Sequence, residues 1–229
     1  MLSPQQCSRT AESEELTVRN TLRKIAVTAG AAAAAITLGA TTATAGVAAP
    51  TWTVTPAPSP VAVTATNSGT VALSLNGIPM TCTTSSANAV LATASGTSNV
   101  TVGTIAPLTW SGCTSPFGPV SPSANTSPAW QLKANSYSAG TTTGYITGVK
   151  ATVTVLTCTF TVTGDVTASY NNTSGQLTIG NNATYQLTVA TVTPGCTGIA
   201  AVGQHPTYTA KYNAVKTGTT TKPGIVYTP

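Results

Sequence analysis

Acidic side chains are almost missing. Of 229 residues only four are Asp or Glu, and beyond Glu15 the sole one is Asp165. Arginine stops at Arg23, a single histidine, His205, is present, and charged residues make up 6% of the chain. Each scarcity removes a class of chemistry. Glycoside hydrolysis uses two carboxylates flanking the bond, and one acid leaves that pair incomplete. Paired acids for Mg²⁺ and Gly-rich phosphate loops are lacking, so nucleotide chemistry has no equipment. No G-x-S-x-G elbow occurs, and a Ser-His-Asp triad would have to draw on Asp165 and on His205 in the loop-like Gln204-His205-Pro206. Close CxxC-type spacing is also absent, which removes a zinc set. The sequence therefore predicts no enzyme: no catalytic residue, no metal, no cofactor.

What is present starts with a leader. Arg19, Arg23 and Lys24 precede a small and apolar run from Ile25 to Leu38, and Ala43-Thr44-Ala45 stands before Gly46. That is the layout of a secretory signal peptide over 18–45, with cleavage after Ala45. The run of 14 residues falls short of the roughly 20 a spanning helix needs, so no stable membrane span is expected after cleavage. Residues 1–17, with Cys7 and three of the acids, read as a mis-called start or leader extension, Val18 being the alternative initiator. Secretion or cell-surface location is the expectation.

Residues 46–229 carry five lysines against Asp165, a net +4, and threonine is their commonest residue. Thr and Val are β-branched and fit a pleated sheet. Lysines 133 and 150 are scattered and only Lys211, Lys216 and Lys222 gather, which gives no nucleic-acid footprint. Their plain role is solubility and protection of strand edges. A sharper one is attachment to anionic cell-wall polymers, which together with another surface protein are the partners the sequence admits.

Cys7 leaves with the leader, and four cysteines remain: Cys82, Cys113, Cys158 and Cys196. In an exported chain an even set reads as two disulfides. Thr-Cys-Thr followed by Gly-Cys-Thr occurs twice, at 81–83 and 112–114, then at 157–159 and 195–197. This repetition favours Cys82 with Cys113 and Cys158 with Cys196 among the three pairings.

Alternation with a period of two recurs from Val71 to Val189. It marks Val71, Leu73 and Leu75; Val100 and Val102; Trp130 and Leu132; Val166, Ala168 and Tyr170; Leu177 and Ile179; Tyr185, Leu187 and Val189. Turn signals lie between them at Asn67-Ser68-Gly69, Asn76-Gly77, Ser174-Gly175 and Gly180-Asn181-Asn182. The expected fold is all-β: an antiparallel sandwich, Ig-like or jelly-roll-like, or a barrel, with two disulfides, after an N-terminal signal helix. Residues 46–64 read as a Pro/Thr-rich linker or edge strand, 65–215 as the β-sandwich domain, and 216–229 as a basic C-terminal tail.

Parity and turn chemistry give two local expectations. In 151–163, Val153 and Val155 share one parity, while Leu156, Cys158, Phe160 and Val162 share the other. A continuous strand would need a bulge near Val155 and Leu156, with Cys158 pointing inward. Gly164-Asp165, between two alternating runs, reads as a hairpin turn.

Aromatics are the one recognition feature. Trp52, Trp110, Trp130, Tyr137 and Tyr145 could stack on a sugar or an apolar ligand; core packing is the plainer role for Trp110 and Trp130. Trp52, in the linker, is the better candidate for contact with a partner.

The order LTCTFTVTG, ASYNNTSGQLTI, PGCTGI resembles that of Ala/Thr-rich secreted proteins of high-GC Gram-positive bacteria, over about Asn76 to Tyr212. The resemblance implies an exported all-β fold with two bridges and carries no activity. In composition the chain is also similar to enediyne-binding apoproteins of the neocarzinostatin type, whose short-range cysteine spacing it lacks. The reading is a secreted, non-catalytic β-sandwich protein acting at the cell surface or extracellularly, as a structural component or binding module. A module for polysaccharide or small apolar ligands is the alternative, and a secreted hydrolase stands third.

Overall fold

The computed structural model describes residues 48–229. The leader extension expected over 1–17 and the signal peptide expected over 18–45 lie outside the described residues. Within them the chain forms β1 (Thr51–Thr55), β2 (Val61–Asn67), β3 (Val71–Leu75), β4 (Ile78–Leu91), β5 (Ala94–Ser95), β6 (Val100–Ser115) and β7 (Gly118–Ala124). After these come β8 (Trp130–Ser138), β9 (Thr141–Val155), β10 (Cys158–Asn171), β11 (Gln176–Gly180), β12 (Leu187–Val192), β13 (Thr207–Lys216) and β14 (Gly224–Thr228). The all-β expectation holds.

Threonine alternation explains why these stretches pair as they do. In β10, Cys158, Phe160, Val162, Val166, Ala168 and Tyr170 are buried, while the Thr and Ser between them are half-exposed. One face is thus dry and apolar, the other hydroxylated, and register is pinned because a slip by one residue would exchange the faces.

The ladders close on themselves. From β10 the antiparallel pairings run to β11, β13, β2, β4, β6, β7 and β9, and β9 pairs back with β10. Eight strands in one circuit make a barrel, the second of the two expected architectures. At other points along the same staves, β3 replaces β2 between β13 and β4, and β8 replaces β7 between β6 and β9. Closure satisfies backbone groups that an open sheet would leave at its edges. A separate three-stranded sheet, in the order β14-β1-β5, joins the two ends of the described chain.

Both predicted disulfides form. Cys82 and Cys113 are register partners across β4 and β6, with Cα atoms 3.9 Å apart. Cys158 at the start of β10 bonds Cys196, tying the loop after β12 to the barrel, with Cα atoms 4.5 Å apart. Cys158 points inward and is fully buried.

Three expectations are corrected. Val155 pairs directly with Cys158, so Leu156 and Thr157 form a tight hairpin turn rather than a bulge in one strand. Leu156 adopts φ +52° there, a left-handed conformation usually signalled by Gly or Asn, which is why the sequence hides the turn. Asp165, in contrast, lies within β10 and makes no hairpin. Gly164 pairs Val149 and Val166 pairs Ile146, so Thr147 and Gly148 of β9 stand opposite the single Asp165 in a bulge, with Gly148 at φ +76°. Lastly, 216–229 is no free tail: it holds β14, paired with β1 over five residues, with Ile225 buried. Residues 46–64, read as linker or edge strand, contain β1, which is the middle strand of the small sheet, and the start of β2.

Candidate functional site

Inward-facing side chains do not fill the barrel. They line a cavity of ≈ 130 Å³. Eight strands are the size at which a barrel interior is either packed or holds one small ligand, and here the side chains are mostly Val, Ala, Leu and Ile. Leu73 of β3, Leu108 and Trp110 of β6, Trp130 of β8, Ile146 of β9, Leu177 of β11 and Tyr208 of β13 are among those that line it. Pro223 and Ile225 of the C-terminal segment line it too. Among the described residues no carboxylate, lysine or histidine reaches the wall.

The wall does contain polar atoms, and each is engaged within the protein. Trp110 Nε1 donates to the Tyr208 hydroxyl at 3.3 Å, and the hydroxyls of Tyr208 and Tyr212 lie 3.1 Å apart. Tyr212 in turn meets Ser85 Oγ at 2.8 Å, and Ser85 Oγ donates to the Thr109 carbonyl at 2.9 Å. An indole N–H can only donate and a carbonyl only accept. Hydroxyl protons therefore run one way along the chain, from Trp110 through Tyr208, Tyr212 and Ser85 to Thr109. Trp130 Nε1 donates to the Asn125 carbonyl at 2.9 Å, and the Tyr170 hydroxyl to the Pro223 carbonyl at 2.5 Å.

Burial raises the pKa values of these phenols. Tyr170 is pushed up to about 12 by desolvation. Tyr208 goes well above its ordinary value, first through desolvation and then through neighbouring Tyr212. Tyr212 is raised by desolvation, opposed by its hydrogen bonds with Ser85, Tyr208 and Trp110. All three remain neutral hydroxyls near neutral pH, which leaves the cavity with neither a base nor a charge.

Of the five aromatic candidates, the fold brings two together. Trp110 and Trp130 both line the cavity. Trp52 is 0% exposed, its ring 4.9 Å from that of Tyr227 in the small sheet, and offers no open face to a partner. Tyr137 packs half-buried against the core. Tyr145 stacks on Tyr185 at 4.4 Å, on the opposite parity from inward Ile146. Its pKa is raised by desolvation, then by Tyr185 and Asp165.

Residues that sequence reasoning did not single out complete the site. Tyr208, Tyr212 and Ser85 lie outside the alternating runs marked in the sequence, and nothing in the chain marks them as partners of Trp110. The components of the hypothetical triad lie elsewhere: His205 Nδ1 donates to the Leu187 carbonyl at 3.0 Å and lies 3.2 Å from Thr188 Oγ1. Neither a serine hydroxyl nor Asp165 is among its hydrogen-bond partners.

A family model described as "Alkane oxidation protein activator PraA/PraB-like" matches residues 22–212. Neither a curated protein nor a solved structure matches the chain.

Proposed function

The chain belongs to the alkane oxidation protein activator PraA/PraB-like family, and from that premise we propose that it is a non-catalytic binding protein for small apolar molecules, compact or short hydrocarbons foremost, working outside the cytoplasm at or near the cell surface. The observation that carries the reading is the cavity of ≈ 130 Å³ with its apolar wall. An engineered cavity of about 150 Å³ with similar lining stays dry and takes up benzene, so a ligand of about six carbons is the natural fit. Its affinity is bounded by its size. At about 1.5 kcal/mol per heavy atom, six carbons reach submicromolar binding at the very best.

Two disulfides suit an oxidising compartment, and the leader sequence supplies the route there. Asp165 and His205, the one side-chain carboxylate and the one imidazole among the described residues, stand outside the cavity wall, which supports carriage rather than catalysis.

Trp110 and Trp130 make the cavity report on its own contents. Addition of benzene or cyclohexane to the purified, oxidised protein should change tryptophan fluorescence saturably and raise the melting temperature. Absence of both responses up to hydrocarbon saturation overturns the reading. For the compartment, protein collected from culture should begin at Gly46 and have the intact mass of a fully oxidised chain.

A further inference from the structure

We infer that this cavity discriminates by oxidation state: it takes the hydrocarbon and refuses the corresponding alcohol. The inference rests on the proposed function and names the ligand class of the same site. Its basis is the hydroxyl chain of Trp110, Tyr208, Tyr212 and Ser85. Every N–H and O–H along it already has an acceptor inside the protein. What remains facing the cavity is almost wholly apolar.

An alcohol brings one donor and one acceptor into that space. Its oxygen meets no free donor, so it loses its hydrogen bonds to water without replacement. A hydrocarbon of the same shape loses nothing polar on entry. A hydrophobic pocket rejects an isostere that adds a hydroxyl by about 100-fold, and that is the discrimination expected here.

Refusal of the alcohol places the protein before the first insertion of oxygen. A hydrocarbon delivered to an oxygenating reaction would leave as an alcohol that competes about 100-fold less well for the same cavity. Carriage would then run one way without any conformational gate.

Cyclohexane and cyclohexanol form the test pair, because both are compact enough that the whole molecule must enter. Each is titrated into the oxidised full chain, followed by tryptophan fluorescence and by melting temperature. The expected result is cyclohexane binding with cyclohexanol about 100-fold weaker. Equal affinity within about threefold overturns the inference and leaves the proposed function standing; binding of neither overturns both. A Tyr208→Phe variant tests the cause. It removes one hydroxyl, leaving the Trp110 N–H as a free donor and the Tyr212 oxygen as an acceptor, so an alcohol oxygen can take the vacated place. The ratio of cyclohexanol to cyclohexane affinity should rise at least tenfold. A folded Tyr208→Phe protein with unchanged selectivity overturns the assignment of selectivity to the hydroxyl chain. Tyr212→Phe serves the same purpose if the first variant melts too low to titrate.

Discussion

Asn172 holds Ile225 from both sides of one residue. Its side-chain amide donates to the Ile225 carbonyl at 2.9 Å and its amide oxygen accepts from the Ile225 N–H at 2.8 Å. A side chain thus plays the part of a strand, where β14 crosses beside the barrel and has no ladder with it. Thr142 adds a donor to the same carbonyl at 2.7 Å.

Asn172→Ala should loosen this closure. It leaves the Ile225 N–H unpaired beside a buried side chain, at a cost of about 1–3 kcal/mol. Hydrogen exchange should speed up selectively in β14 and β1, and the urea midpoint should fall. Unchanged exchange at Ile225 would show that β14 is held by its pairing with β1 alone.

Replacing both Cys158 and Cys196 by Ala should cost about 2–4 kcal/mol. The bridge closes a sequence separation of 38, for which the chain-entropy model gives close to the top of that range. Equilibrium urea unfolding of the oxidised double variant against the parent measures it. A loss below about 1 kcal/mol would mean that the loop after β12 is held by packing of Cys196, Ile199 and Ala200 rather than by sulfur.

Leu156 stands 63% exposed at φ +52°. An L-residue with a bulky side chain is disfavoured there by about 1–2 kcal/mol, whereas Asn tolerates the conformation. Leu156→Asn should therefore stabilise the protein by about 0.5–1 kcal/mol, seen as a raised urea midpoint with an unchanged slope. A lower midpoint would indicate that the leucine makes contacts that outweigh its backbone strain.

Alkaline pH should unfold the protein through its phenols. Tyr170, Tyr208 and Tyr212 have folded pKa values raised above the ordinary 10.0, Tyr170 to about 12. Above pH 10 the unfolded chain loses these protons first, so stability is fully present below that pH and falls as pH rises toward 12 and beyond. Urea midpoints across this window, with tyrosinate absorbance followed in parallel, check the sign. Stability that stayed level from pH 10 to 12 would contradict the burial of these hydroxyls.

Asp165→Asn should leave hydrocarbon binding unchanged and shift stability by no more than about 0.5 kcal/mol, since the residue is half-exposed on the outer side of a bulge. Titration and melting of the variant decide it. A folded variant that had lost a measurable function would revive the hydrolase reading.

Much of the architecture was legible along the chain. Alternation located the apolar faces of β3, β8, β10 and β11, and Asn76-Gly77 announced the turn between β3 and β4, where both residues have positive φ. The repeated cysteine contexts gave the pairing. The turn at Leu156 and the bulge opposite Asp165 were exchanged, because a leucine in the left-handed region carries no signal and Gly-Asp serves a bulge beside it as readily as a hairpin. Of the candidate site, Trp110 and Trp130 were visible as aromatics and nothing more.

Composition by itself determined that this protein is built of strands, joined by two sulfur bridges and nearly bare of ionisable groups. Those properties are local, since each residue contributes its own propensity, charge or thiol wherever it falls. Whether the sheet stays open or closes was decided only in three dimensions, by ladders between β13 and β2 and between β7 and β9, strands far apart or interrupted in sequence. Closure turns a set of apolar faces into an enclosed space, and it brings Trp110 to Tyr208 across 98 positions. A cavity belongs to no residue in particular, so no stretch of the chain could announce it.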